Sequence, residues 1–294
     1  MKYIKRFDDF INESQINEMG MAVRNRNTRA RMGDVVSKYK LVLNPNTNLY
    51  DCNGDIKVSA DLVSPDGKFI IQFGVVKGNF YCSSNNLITL EGAPQEVGGD
   101  FDCWGNLLTT LKGAPHKVGG CFDCRYNNLT SLEGAPQEVG GYFDCGYSAL
   151  TTLEGAPQKV GGRFDCYGNK LTSLEGAPQE VGGDFDCWGN LLTTLKGAPH
   201  KVGGDFNCSN NNLITLEGAP REVGDDFNCS ENNLKSLEGA PQFVGSIFDC
   251  TKNNNMVYDE AHFYGFLPDV IEGELIADNG CDFELAKDYY DTKQ

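Results

Sequence analysis

A repeat solenoid built mainly of short parallel β-strands is the fold class this sequence predicts, and three observations predict it. Nine cysteines (Cys82, Cys103, Cys124, Cys145, Cys166, Cys187, Cys208, Cys229 and Cys250) stand 21 residues apart without exception. A Phe lies two residues before each of them, and leucines follow eight of them at five and eight residues. The segment Leu90–Gly120 recurs letter for letter as Leu174–Gly204, an offset of 84 residues or four units, the mark of internal duplication. A period of 20–29 residues is that of a solenoid, in which each unit buries its apolar face only against its neighbours.

Taken in order, residues 1–20 carry Tyr3, Ile4, Phe7, Phe10 and Ile11 at helical spacing and predict a short amphipathic helix. Their start, MKYIKRFDDFINES, resembles the capsid-targeting peptides of internal head proteins of tailed phages, which a prohead protease cuts after Leu/Ile-x-Glu. Ile11-Asn12-Glu13 and Ile16-Asn17-Glu18 both match. The resemblance implies processing after Glu13 or Glu18, a phage-encoded protein, and a place in the capsid interior. Residues 21–48, with Arg24, Arg26, Arg29 and Arg31, read as a solvated basic linker able to touch nucleic acid or the acidic remainder of the chain. Residues 49–78 read as a degenerate first coil and cap. There Ile56 and Val58 take the Phe and Cys places, and Val76 and Gly78 match a Val-Gly-Gly step.

Residues 79–255 form the solenoid proper, with the unit V-G-G-x-F-x-C-x-x-N-x-L-x-x-L-x-G-A-P. Phe and Cys are two apart and so share the inward side of a strand, while the residue between them faces outward. Asn follows each cysteine by three residues except at Ser148. An inward amide there can bond backbone groups of adjacent coils that burial would otherwise leave unpaired. Gly-Ala-Pro excludes a regular helix from the connecting arc. The F-x-C-x-x-N-x-L-x-x-L run resembles the strand segment of the leucine-rich repeat family, with Phe and Cys in two of the leucine slots. That resemblance implies parallel strands on a concave face and non-helical arcs on the back. A right-handed parallel β-helix is the alternative architecture, less well matched because a regular three-sheet coil would lack the single Asn turn. Residues 256–294, aromatic, acidic and non-repetitive, read as a C-terminal cap.

Charge limits the partners. The chain has a formal net charge of −16, yet residues 1–45 hold nine basic against five acidic groups, so the acidity lies in the remainder. An acidic body repels phosphate backbones, which argues against nucleic acid as a partner of the repeats and favours a basic protein or peptide. No apolar run reaches the length of a membrane span, and the N-terminus lacks the apolar core of a secretory signal. A cytoplasmic location with reduced thiols is the expectation.

The chemistry open to such a chain is narrow. Nine thiols in a straight row about 4.8 Å apart suit packing and not a tetrahedral metal site, so neither metal nor cofactor is expected. His116 and His200 lie four coils apart, too far to share a metal. No nucleophile–base spacing or phosphate loop is present, and Cys281 stands in a tail too short for a catalytic domain, so the chain reads as no enzyme. The outward strand position is more informative: Asp102, Asp123, Asp144, Asp165 and Asp186 fall in consecutive coils. Trp104, Tyr126, Tyr147, Tyr167 and Trp188 follow just past the cysteines, with Arg125 and Arg163 nearby. Carboxylates beside aromatics on one face would suit a basic, partly apolar partner. Aspartates that are merely solvated, copied along with the repeat, remain the competing reading. At the level of the whole protein, the competing reading is a packaged or virion-associated structural protein with no specific ligand.

Overall fold

The computed structural model describes residues 26–259 and 262–278, and over them the chain is a parallel β-solenoid of stacked 21-residue coils. Every coil contributes two strands, most of them only two residues long. In the central coils one is Glu-Val or Lys-Val and the other Phe-Asp or Phe-Asn, as in Glu96–Val97 and Phe101–Asp102. The first kind joins into a 12-stranded valine sheet and the second into an 11-stranded phenylalanine sheet. Within the repeats both are parallel and in register, Phe101 on Phe122 and Val97 on Val118.

The valine strand was not anticipated in the arc. A pattern of two residues leaves no period to read, and its outward residue becomes legible only across coils. Glu96, Lys117, Glu138, Lys159, Glu180, Lys201 and Glu222 alternate in sign along the sheet, with Lys159–Glu180 at 3.2 Å and Lys201–Glu222 at 2.7 Å. Opposite charges therefore face each other wherever neighbouring strands meet, where like charges would destabilise the pairing.

Local chemistry closes each coil. Leu90-Glu91-Gly92-Ala93 forms a turn in which Ala93 N–H donates to Leu90 O at 2.9 Å, with Gly92 at φ +93°. A positive φ at that position demands glycine, which is why Gly-Ala-Pro recurs. At the Val-Gly-Gly corner adjacent coils touch through backbone alone. A Cβ on Gly140 would lie 2.1 Å from Gly119 O.

Inside, Phe, Cys and both leucines of each repeat are fully buried. Successive Phe rings from Phe80 to Phe248 stack with centroids 5.1–5.6 Å apart. Each ring removed from water contributes about 1.5–3 kcal/mol. The Asn ladder works as its chemistry predicts. Asn190 Oδ1 accepts from Leu171 N–H at 3.1 Å, and its Nδ2 donates to Cys166 O and Cys187 O, each at 3.1 Å. The ladder cysteines are free and buried, and burial pushes their thiols up, away from thiolate chemistry.

Both ends hold coils the repeat pattern disguises. Ile56 pairs with Phe80 and Val76 with Val97, as expected of a degenerate first coil, and Cys52 fills the valine place before them. Residues Arg26–Lys38, read as part of a solvated linker, instead form a helix, α1. Its Val35 is buried in the hydrophobic core, and Lys38 Nζ pairs with Asp61 at 2.8 Å. Downstream, Ile271 and Leu275 take the valine and phenylalanine places of one further coil. Six extra residues separate it from the last regular repeat. They accommodate a short 3₁₀ turn, Tyr264–Phe266, beside buried Phe263 and Leu267. The N-terminal segment 1–20 and Cys281 lie outside the described residues, as do Glu13 and Glu18.

Candidate aromatic recognition face

The phenylalanine sheet carries the candidate site on its outer side. From Asp102 to Asp249, the Asp or Asn at the outward strand position folds back on its own chain in every coil but that of Asp165. Asp102 Oδ1 accepts from Trp104 N–H at 3.1 Å, Asp144 Oδ1 from Gly146 N–H at 3.0 Å and Asp186 Oδ1 from Trp188 N–H at 3.1 Å. Asn207 and Asn228 make the same bond to Ser209 and Ser230. This Asx turn explains why Asp and Asn interchange at the position.

The row of carboxylates is not the solvated surface expected. Asp123, Asp144 and Asp165 are 5%, 0% and 4% exposed, and Asp102 and Asp186 are half-buried. The reason is a roof of side chains from the residues just past each cysteine. Trp104 meets Tyr126 edge-on at 6.4 Å, Tyr126 stacks on Tyr147 at 5.0 Å, and Tyr147 meets Tyr167 edge-on at 5.2 Å. Tyr167 then stacks on Trp188 at 5.9 Å, with 8° between the planes. Five consecutive coils thus carry one continuous aromatic strip, and it holds both tryptophans of the chain. Beyond it the same positions revert to small or polar residues: Ser83 and Ser84 before, Ser209, Asn210, Ser230 and Glu231 after.

Beneath the strip, charge is compensated unevenly. The Arg125 guanidinium binds Asp123 through Nη2 at 2.6 Å and lies 3.2 Å from Asp144 Oδ2. Tyr167 Oη donates to Asp144 at 3.3 Å. Arg163 Nε sits 2.7 Å from Asp165 Oδ2 as an ion-pair contact, out of line for a hydrogen bond, and its guanidinium lies over the Tyr142 ring at 5.0 Å. Burial is the main cause that raises the carboxyls, Asp102, Asp144 and Asp186 to about 6 and Asp165 to about 7. Burial likewise raises the phenols of Tyr142 and Tyr167 to about 12.

All twelve residues singled out from the sequence therefore gather on one face: Asp102, Trp104, Asp123, Arg125, Tyr126, Asp144, Tyr147, Arg163, Asp165, Tyr167, Asp186 and Trp188. Their roles divide differently from expectation, with aromatics outermost and carboxylates underneath. Three features escaped the sequence reading. Gly146 and Gly168 make room for the strip, since a Cβ on Gly146 would fall 2.5 Å from the Tyr167 ring and one on Gly168 2.7 Å from that of Tyr147. Tyr126 and Tyr147 adopt φ of +52° and +47°, at a position filled elsewhere by Gly, Asn, Ser, Glu or Lys. A bulky side chain there costs on the order of 1–2 kcal/mol. The third is the residue before each Phe, where Asp100, Asp184, Asp205 and Asp226 each accept the backbone N–H of the next coil. That second ladder is replaced by Cys121, Tyr142 and Arg163 in the coil where Ser148 interrupts the Asn ladder and in the coils on either side of it. Departures from the repeat consensus were the available signal.

No protein-family model matches the chain, and a search of curated proteins finds no match. Among the described residues no group of His, Cys, Asp and Glu is arranged to hold a metal ion, and none of their helices is long and apolar enough to cross a membrane.

Proposed function

We propose that the protein is a non-enzymatic binding module that recognises a protein or peptide bearing apolar and basic side chains on the aromatic strip of its phenylalanine sheet. The observation that carries this reading is where the repeat breaks its own rules. In the coils around Cys124, Cys145 and Cys166 the chain gives up ladder bonds and accepts strained tyrosines, and what it gains is an exposed apolar surface over buried carboxylates. Local conflicts of this kind belong at functional sites. Trp104, Tyr126 and Tyr147 are 40%, 52% and 41% exposed, a contiguous patch of the residue types that dominate interface hot spots. The acidic remainder of the chain steers basic partners toward it. A phage origin, as the N-terminal resemblance implies, would make that partner a host or virion protein.

The test uses the chain's own alternatives. Trp104→Ser, Tyr126→Asn and Tyr147→Asn together install residues that neighbouring coils already carry at those positions, so the fold is retained while the strip is erased. Peptides selected from a random display library against the native chain should be enriched in Lys or Arg beside aromatic or aliphatic residues, and should lose binding to the triple variant at least tenfold. Peptides with no such bias, or equal binding to the variant, would overturn the reading.

A further inference from the structure

The internal duplication supplies a template for the ligand. Trp104 and Trp188 occupy equivalent places in two identical 31-residue segments, Leu90–Gly120 and Leu174–Gly204. Their surroundings differ just outside the copied block. In the coil before Trp188 stands Tyr167, whose ring lies parallel to the indole at 5.9 Å. In the coil before Trp104 the equivalent residue, also 84 positions earlier, is Ser83. No ring of the chain covers that side of Trp104 among the described residues; its one aromatic neighbour is Tyr126, on the other side. Trp188 is accordingly half-buried while Trp104 is 40% exposed.

Resting on the binding role proposed above, we infer that the space over Ser83 beside Trp104 receives a tyrosine-type side chain of the partner, which stacks on the indole as Tyr167 stacks on Trp188. The stacking is one this fold already realises: the Tyr167 and Trp188 rings lie parallel one coil apart, with Tyr167 laid over Gly146 of the coil before it. Offset stacking of this kind adds to the area it buries. The polar end of the guest is also placed by equivalence. Tyr167 Oη donates to the carboxylate of Asp144 in the preceding coil, and the corresponding outward residue before Ser83 is the exposed Lys57, in register with Tyr81. A guest hydroxyl there accepts from an ammonium instead of donating to a carboxylate.

Two tryptophans make the test direct. In the ¹⁵N-labelled full chain the two indole N–H resonances are assigned with Trp104→Phe and Trp188→Phe, and p-cresol is titrated as the probe. The Trp104 resonance should shift saturably in the millimolar range while that of Trp188 stays in place. Ser83→Tyr fills the space with the chain's own ring. It should abolish the shift and move the free Trp104 resonance toward the position of Trp188, whereas Ser83→Ala should leave the titration as in the native chain. Equal response of both indoles, response of neither, or an undiminished Trp104 shift in Ser83→Tyr would each overturn the inference. Selected peptides that bind Ser83→Tyr as well as the native chain would also overturn it while leaving the broader role standing. Peptides that ignore the triple strip variant would instead remove that role itself.

Discussion

Replacing Asp165 by Asn should stabilise the protein at alkaline pH and have a much smaller effect near pH 4.5. Asp165 is 4% exposed, flanked in its sheet by Asp144 and Asp186, and its carboxyl is raised to about 7, first by burial and then by Asp144, with Arg163 opposing. In the unfolded chain the same group ionises near its ordinary value of 3.8. Between those values the native state holds a proton that the unfolded state has lost, so stability falls as pH rises through the window and levels off above it. The interval corresponds to about 4 kcal/mol for a fully buried isolated group. Loss of the Arg163 ion pair, whose guanidinium is half exposed, returns part of this, leaving a gain of about 1–3 kcal/mol at pH 8.5. Asn207 and Asn228 show that the amide fits the same position two and three coils on. Urea denaturation followed by tryptophan emission reports on these coils, because both tryptophans sit over the carboxylate row. A loss of stability at pH 8.5, or the same change at pH 4.5 and pH 8.5, would refute the argument that Asp165 is held against its preferred charge state.

The other predictions concern the ladders and the N-terminus. Seven of the buried leucine N–H groups, from Leu87 to Leu234, donate to an Asn of the next coil, but Leu129 faces Ser148, whose Oγ is buried without a partner. Ser148→Asn should therefore raise the midpoint of thermal unfolding, by the equivalent of about 1 kcal/mol, as measured by circular dichroism. Asn190→Ala, by contrast, removes an amide with three bonds to buried backbone and should cost about 2–4 kcal/mol in the same assay, with no dependence on pH between 5 and 8. If the N-terminal resemblance reflects processing, mass spectrometry of protein recovered from particles should find a mature terminus at Ser14 or Met19, and an intact Met1 would count against packaging by that route.

Much of this architecture could be read from one unit because its determinants repeat. Phe101 and Cys103 declare a strand by their spacing, Asn106 declares an inward turn by needing partners, and Gly113-Ala114-Pro115 excludes helix from the arc. The valine sheet was hidden because Lys117–Val118 gains meaning only beside Glu96–Val97 and Glu138–Val139, where charge alternates from coil to coil. The last coil was hidden because six inserted residues displace Ile271 and Leu275 from the 21-residue grid.

The candidate face illustrates a different limit. Its twelve residues were legible as a group, but the order of layers was not, because alternation along a strand says which side a residue faces and not what lies above it. Asp144 does point away from the core, yet it is fully buried, since Tyr167 folds over it and Arg125 is drawn between it and Asp123. Those covering groups come from positions one or two residues past the cysteine, where the consensus unit leaves a blank. A repeat protein spends its consensus on stacking. Its individuality therefore has to lie in the departures, and here Cys121, Tyr126, Tyr142, Tyr147, Ser148 and Arg163 all depart within three of the five coils that carry the strip. A solenoid that served only as a spacer would have no reason to concentrate unsatisfied ladder positions and left-handed tyrosines in one place. Random loss of consensus would scatter them along all the coils and would not supply Gly146 and Gly168 to receive the rings.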